Sequence, residues 1–248
     1  LQRKGRNGLS MDKTLERNIQ AVRARIEAAA REAGRDPGEI TLCAATKVQT
    51  SDTIRAAIAA GIAVCGENRV QEFTAHLADD AYAGAKVHFI GHLQRNKVKY
   101  IVGKVDLIES VDNQELLEMI DKRAEKVGVV QDILIEVNIG GEESKSGAAP
   151  EEAKRLAALA GSLSHVRLRG LMAIPPVSTG EGSNRKFFAA MHQLFVDLQG
   201  KKYDNESTMD ILSMGMSKDY PDAILEGATL VRVGTALFGP RPALRAQG

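Results

Sequence analysis

Residues 107–138 read LIESVDNQELLEMIDKRAEKVGVVQDILIEVN, and this stretch contains the structural unit that repeats along the chain. It opens and closes on short apolar runs, 107–111 and 133–138, which alternate only weakly, as strands buried on both faces do. Between them, apolar residues recur at steps of three or four, at Leu116, Ile120, Ala124 and Val127. That spacing predicts an amphipathic helix, and therefore a strand–helix–strand unit.

The same unit recurs outward in both directions along the chain. Eight strand-like runs are predicted, at 40–46, 62–66, 87–91, 107–111, 133–138, 166–174, 209–213 and 230–234. Helical patterns separate these runs, which predicts an α/β protein with a single (β/α)8 TIM-type barrel. A doubly wound open sheet has the same alternation. Eight units without a linker between them favour the barrel.

Helix signals agree with this division. Asp112, in a capping box with Glu115, or alternatively Asn113, can cap the helix of the quoted stretch. Pro150 is typical of the first turn of the fifth helix. Before the first strand, residues 12–34 form an extra N-terminal helix whose apolar stripe follows Leu15, Ile19, Val22, Ile26 and Ala30.

Length and composition exclude several classes of protein. A chain of 248 residues with 44% apolar and 26% charged residues has the composition of a globular protein. None of its apolar runs approaches the roughly 20 residues that span a bilayer. The chain has 33 basic and 32 acidic residues, so its net charge is +1. This balance gives no general reason to bind nucleic acid or anionic membranes.

Three segments are expected. Residues 1–10 are polar and lack the apolar core of a secretory signal, so we expect a flexible extension, either native or left from cloning. Residues 11–240 form the barrel, and residues 241–248 form a C-terminal tail. Without an export signal, the expected location is the cytoplasm. Cys43 and Cys65 are expected to be buried free thiols, and no Cys/His spacing indicates a metal site.

Chemistry in such barrels lies at the carboxyl ends of the strands. Lys47 ends the first run, where desolvation favours the neutral, nucleophilic amine, and such an amine forms Schiff bases with aldehydes. Pairing of Lys47 with a carboxylate such as Glu67 is an equally weighted alternative at this point.

Two Gly/Ser/Thr turns follow the seventh and eighth runs. They carry Ser213, Gly215 and Ser217 in one turn, and Gly234 and Thr235 in the other. Barrels often bind phosphate with these two loops, so the pair indicates a phosphate site more strongly than either turn alone. A plain N-cap with a glycine turn is the alternative for the first of them. By alternation, Arg232 points opposite to its apolar neighbours, either inward as a buried cation or outward at the surface.

An amine and a phosphate cup at one barrel mouth are the parts of a pyridoxal 5′-phosphate site. Over residues 11–240, seven separated motifs resemble the pyridoxal phosphate homeostasis protein family, which is related to the barrel domain of alanine racemase. These motifs are 45–47, 66–72, 88–97, 144–147, 170–176, 212–217 and 231–239.

The resemblance implies a role for each site residue. Lys47 would hold the cofactor as a covalent internal aldimine, and Arg232 would face the pyridine nitrogen. Asn68 would lie near the lysine and Met172 beside the ring. The phosphate would be held by the remaining residues of the site: Ser217, Thr235, the backbone at Gly215 and Gly234, and, as a weaker candidate, Ser213.

The resemblance also implies a function: binding of pyridoxal phosphate, buffering of its free concentration and delivery to apo-enzymes, without robust catalysis. The chain ends eight residues after Pro240, so we expect neither the second domain of the racemases nor its second base, and we expect a monomer. A racemase-like enzyme acting on amino acids is the alternative. A second alternative is a sensor or delivery module whose partner contacts a surface of His88, His92 and Lys97.

Overall fold

The computed structural model describes residues 3–142, 145–201 and 203–240. Eight parallel strands form a closed barrel in which each strand pairs with its neighbours in chain order and the last pairs with the first. The strands are β1 (Thr41–Ala45), β2 (Val64–Glu67), β3 (Lys86–Phe89), β4 (Leu107–Val111), β5 (Gln131–Val137), β6 (Val166–Ala173), β7 (Ile211–Ser213) and β8 (Leu230–Val233).

Helices connect the strands and surround the barrel. They are α1 (Arg3–Glu32), α2 (Ser51–Ala59), α3 (Val70–Ala78), α4 (Val98–Ile101), α5 (Gln114–Val127), α6 (Pro150–Ser162), α7 (Arg185–Gln199), α8 (Tyr220–Leu225) and α9 (Thr235–Phe238). Short 3₁₀ turns lie at Pro37–Glu39 and Arg95–Lys97. Within the described part of the chain, no helix combines the length and the apolar character needed to cross a bilayer.

The predicted barrel is confirmed. Because β1 and β8 pair, with Thr41 opposite Leu230, the sheet has no open edges, and the doubly wound alternative is excluded. Each of the eight predicted runs overlaps one strand. Helix α1 begins at Arg3, so it includes most of the segment for which a flexible extension is expected; the predicted tail at 241–248 lies outside the described residues.

Helix α1 supports the part of the barrel where β8 ends. Its predicted apolar stripe is buried, and it packs against α8 and α9. Asn18 donates a hydrogen bond of 2.9 Å to the carbonyl oxygen of Leu237 in α9. The short helix α9, which follows β8 directly, is therefore fixed from outside the barrel.

The helix starts follow local chemistry. The side-chain oxygen of Asn113 accepts the backbone N–H of Leu116 at 2.9 Å, so Asn113 caps α5, and the capping box led by Asp112 is the wrong alternative. Pro150 lies in the first turn of α6, as predicted, because this position needs no N–H donor.

The two faces of the strands differ in what they pack against. Val231 and Val233 of β8 belong to the main core between strands and helices, whereas Leu230 packs in a separate cluster with Cys43. Alternation then places Arg232 on the same face as Leu230, toward the barrel interior. Barrel interiors are usually filled by apolar layers. A buried arginine therefore marks the interior of this one as unusual.

Candidate functional site

A cavity of about 360 Å³ opens at the carboxyl ends of the strands. Pockets for small ligands typically have volumes of about 300–1,000 Å³. Six of the nine residues that the sequence assigns to the cofactor line this cavity: Lys47, Asn68, Ser217, Arg232, Gly234 and Thr235. The fold thus brings the amine, the arginine and the two predicted phosphate loops to one place.

Lys47 lies in a tightly held turn after β1. Before it, the Thr46 hydroxyl donates a 2.6 Å hydrogen bond to buried Glu67, and after it the backbone N–H of Val48 donates to Glu72 at 3.0 Å. Val48 has a φ of 60°, a left-handed conformation that is strained for a β-branched residue. Such strain costs on the order of 1–3 kcal/mol and persists where the surroundings impose it, often at functional sites.

Glu67 has defined partners beneath this turn. Besides Thr46, its carboxylate accepts hydrogen bonds from the Tyr82 hydroxyl at 2.9 Å and contacts Nδ1 of His76 at 3.2 Å. It is fully buried. Glu67 therefore holds the base of the turn that carries Lys47.

The loops after β7 and β8 meet at Ser217. Its hydroxyl oxygen accepts the backbone N–H groups of Gly234 and Ala236, both at 3.2 Å. The sequence suggests that Ser217 begins a helix, but α8 starts only at Tyr220. The Ser217 hydroxyl instead accepts N–H groups at the start of α9. This hydroxyl thus joins the two loops that the joint motif assigns to a phosphate site.

Arg232 reaches the cavity from within the barrel and is almost fully buried, with 4% of its surface exposed. One terminal nitrogen donates to the hydroxyl of Ser213, and the other donates to the carbonyl oxygen of Ala173 at 2.8 Å. An arginine has five N–H donors, so donors remain for a ligand. The inward alternative for Arg232 is confirmed.

A carboxylate balances this buried cation. Glu109 of β4 lies 3.8 Å from the guanidinium and accepts a 2.6 Å hydrogen bond from Ser213. Its second oxygen contacts Nδ1 of His88 at 2.7 Å. Burial alone would raise the pKa of Glu109, but the hydrogen bond and charge of His88, together with Arg232, hold that pKa below its ordinary value.

The cavity is basic although the chain is nearly neutral. Among the described residues that line it, Lys47, Lys145, Lys218 and Arg232 are basic and only Asp219 is acidic. Lys145 also donates a 2.9 Å hydrogen bond to the carbonyl oxygen of Pro175. Sequence reasoning gave Lys145 and Lys218 no role, although Lys145 falls within the motif at 144–147.

Asn68 is held at the edge of the cavity by a close backbone contact. A Cβ on Gly91, which follows β3, would lie 2.1 Å from the Asn68 carbonyl oxygen, so only glycine fits there. The Asn68 side-chain oxygen is buried and has no hydrogen-bond partner among the described residues. Buried polar atoms are normally paired, so this oxygen is one that a bound ligand can satisfy.

Three predicted site residues do not line the cavity. Met172 packs in the barrel interior with Leu107 and Leu134, and Ile174, two residues on, lines the cavity instead. The hydroxyl of Ser213 is engaged by Glu109 and Arg232, so it holds the arginine rather than a phosphate.

Gly215 shapes the loop after β7 from behind the cavity. Its φ is +91°, and a Cβ there would lie 2.6 Å from that of Ala223 in α8. Its carbonyl oxygen accepts the backbone N–H of Arg232 at 3.0 Å. Gly215 therefore joins the loop to β8 through its backbone and allows the loop to approach α8.

The alternative of a recognition surface made of His88, His92 and Lys97 does not hold for His88. That residue is buried because Val87 and Phe89 of β3 face the outer core, which turns His88 inward. His92 and Lys97 do share a second cavity, of about 530 Å³, beside the first, and Asn68 lines both.

Comparison with known proteins defines first the class and then the family. The family model described as "Alanine racemase, N-terminal domain" matches residues 14–242, so the barrel is of that class. A relative from Aquifex aeolicus is 44% identical over 223 residues, 90% of this chain and 96% of its own. One from Pseudomonas aeruginosa is 40% identical over 228 residues, 92% of this chain and 96% of its own. Both are named pyridoxal phosphate homeostasis protein, and this chain belongs to that family.

A solved structure agrees with this assignment. PipY of Synechococcus elongatus, solved with PLP bound, is 32% identical, with a TM-score of 0.78 over 91% of this chain and 100% of PipY. The resemblance inferred from the seven motifs is thus confirmed at the level of family and fold.

The two cysteines provide a test of how closely the interior is packed. Cys43 and Cys65 are buried and free, as expected. Burial raises the pKa of the Cys43 thiol and raises that of Cys65 to about 12. Because the thiolate is the reactive form, neither thiol should react with Ellman's reagent at pH 8 in the folded protein, and both should react in denaturant. Rapid reaction of one equivalent without denaturant would contradict this packing.

Proposed function

We propose that this protein binds pyridoxal 5′-phosphate as a Schiff base on Lys47 and serves in its homeostasis by buffering and delivering it. The observation that carries the proposal is the single basic cavity that joins Lys47, Arg232 and the Ser217–Gly234 contact. The cofactor has an aldehyde, a pyridine nitrogen and a phosphate. The cavity offers a matching group for each of them.

Each matching group acts by simple chemistry. The Lys47 amine adds to the aldehyde and water leaves, which forms a carbon–nitrogen double bond that water can reopen. Ser217, Thr235 and the backbone around Gly234 would hold the phosphate, and Asn68 would lie near the lysine. The other lysines of the cavity make it more favourable for an anion.

Arg232 favours holding the cofactor over using it. A permanently cationic guanidinium donates to the pyridine nitrogen and keeps it unprotonated, whereas a carboxylate there would protonate it. The bound cofactor supplies an electron sink for reactions at amino acids, and this sink is weaker when the nitrogen is unprotonated. Tyr82 and Tyr203 bond to Glu67 and to a backbone carbonyl, and no tyrosine lines the cavity within the described ranges.

Reversible capture suits a reactive aldehyde. A free aldehyde reacts with cellular amines, whereas an imine on Lys47 stores it and releases it on hydrolysis. Apo-enzymes that require the cofactor are the proposed recipients. The monomeric state and the cytoplasmic location stay predictions.

The assignment of Lys47 predicts a covalent adduct at one residue. Borohydride reduction of the protein with added pyridoxal phosphate should fix the cofactor on Lys47, and Lys47→Ala should abolish the adduct, since the amine is lost. Peptide mass spectrometry locates the modified residue. Lys218→Ala, which removes another lysine of the same cavity, should retain the adduct. A wild-type adduct on any other lysine would contradict the assignment.

The phosphate site predicts selectivity between two ligands. Hydrogen bonds to charged groups contribute about 1.5–3 kcal/mol each, so Ser217→Ala combined with Thr235→Ala should raise the Kd of pyridoxal phosphate at least about a hundredfold. The Kd of unphosphorylated pyridoxal should change much less in a fluorescence titration. Ser178→Ala is the matched control, because its hydroxyl also lines the cavity but donates to the carbonyl of Gly180. Equal losses for both ligands would place the phosphate elsewhere.

A further inference from the structure

We propose that Glu109, acting with Ser213 and His88, positions Arg232 against the pyridine nitrogen of the cofactor. These are positioning residues, because none of the three lines the cavity proposed for the cofactor. The inference rests on the proposed function, since it assigns a partner to Arg232 within that site.

Hydrogen bonds lead from Arg232 through Ser213 to Glu109 in the interior of the barrel. Arg232 donates to the Ser213 hydroxyl, and that hydroxyl donates to Glu109 at 2.6 Å. The hydroxyl is thus used as both acceptor and donor, which fixes its orientation. Glu109 is fully buried, so its charge acts on Arg232 through a medium with little solvent screening.

His88 completes the series on the far side of Glu109. Because Glu109 is ionised and can only accept, Nδ1 of His88 carries the hydrogen of their 2.7 Å bond. His88 also lines a third cavity of about 300 Å³, together with residues at the amino ends of the strands such as Lys86 and Asp132. The four side chains therefore connect the cofactor cavity with the opposite mouth of the barrel.

Because the two charges balance each other, the position of Arg232 depends strongly on Glu109. A buried guanidinium without its carboxylate is an uncompensated charge, and removal of one partner of a buried pair is far more disruptive than exchange of both. Without Glu109, Ser213 also loses its acceptor and no longer has one preferred orientation. The guanidinium would then be held by the carbonyl of Ala173 and by a Ser213 hydroxyl that is free to turn. The donors that face the nitrogen would no longer be fixed.

A metal site in the same place is less consistent with these contacts. Cys43, His88 and Glu109 do offer three ligand atoms within 4.8 Å of one another. However, a dication there would lie close to the guanidinium, which is 3.8 Å from Glu109. It would also replace the His88 hydrogen bond and require a thiolate at Cys43, whose pKa burial raises. The hydrogen bonds described above account for His88 and Glu109 without an ion.

The test compares two ligands that differ at one ring atom. In 1-deazapyridoxal 5′-phosphate, carbon and hydrogen replace the pyridine nitrogen, while the aldehyde and phosphate remain. Wild-type protein should bind pyridoxal phosphate more tightly than this analogue, because only the former accepts a hydrogen bond from Arg232. The selectivity ratio is the Kd of the analogue divided by the Kd of pyridoxal phosphate. In Glu109→Gln this ratio should fall about tenfold, equivalent to about 1.4 kcal/mol. Ser213→Ala, a smaller change within the same series of hydrogen bonds, should also lower this ratio.

Matched variants separate positioning from loss of stability. His88→Leu should lower the ratio, whereas His88→Asn, which keeps a donor near the position of Nδ1, should restore most of it. Asp132→Asn should leave the ratio unchanged, because its carboxylate binds Arg167 and Arg169 at the opposite mouth. Equal weakening of both ligands in Glu109→Gln and Ser213→Ala would overturn the inference and leave the proposed function intact. Failure of the wild-type protein to bind either ligand would instead refute the proposed function.

Discussion

The interaction on which the site depends is the burial of one guanidinium inside a parallel barrel. A charge in that position requires compensation, and Ser213, Glu109 and the carbonyl of Ala173 supply it. These partners come from β7, β4 and β6, so the closed arrangement of strands is what brings them around the β8 arginine. Barrel interiors are usually apolar, so this polar set is a specific feature of the barrel beside the cavity.

The rest of the cavity is built from loops that are held at both ends. The turn at Lys47 is fixed through Thr46 and Val48 to two carboxylates, and the two loops proposed to bind phosphate are joined through Ser217. Helix α1 supports α9 from outside through Asn18. The amine and the anion-binding groups are therefore positioned by contacts that exist without a ligand. Such preorganisation lowers the entropy that binding would otherwise cost.

The sequence predicted the architecture because strand and helix periods are local properties. Eight runs and their helices were visible, and the motifs placed Lys47, Arg232 and the two phosphate loops at one mouth. The series of hydrogen bonds through Ser213, Glu109 and His88 was not predictable in this way. Register shifts between Ile108 and Val111, so simple alternation does not give the direction of Glu109. His88 could be read as exposed because a short strand of four residues gives little periodicity. Met172 and Ser213 were assigned to the ligand because a motif shows proximity in sequence but not which face of a strand a residue occupies.

In the proposed complex, Arg232 meets an unprotonated pyridine nitrogen. The most direct measurement is the ¹⁵N chemical shift of pyridoxal phosphate labelled at the ring nitrogen and bound to the protein. This shift distinguishes a neutral pyridine that accepts a hydrogen bond from a protonated pyridinium. We expect the neutral, hydrogen-bonded signal in the wild-type protein; a pyridinium signal would rule out this contact.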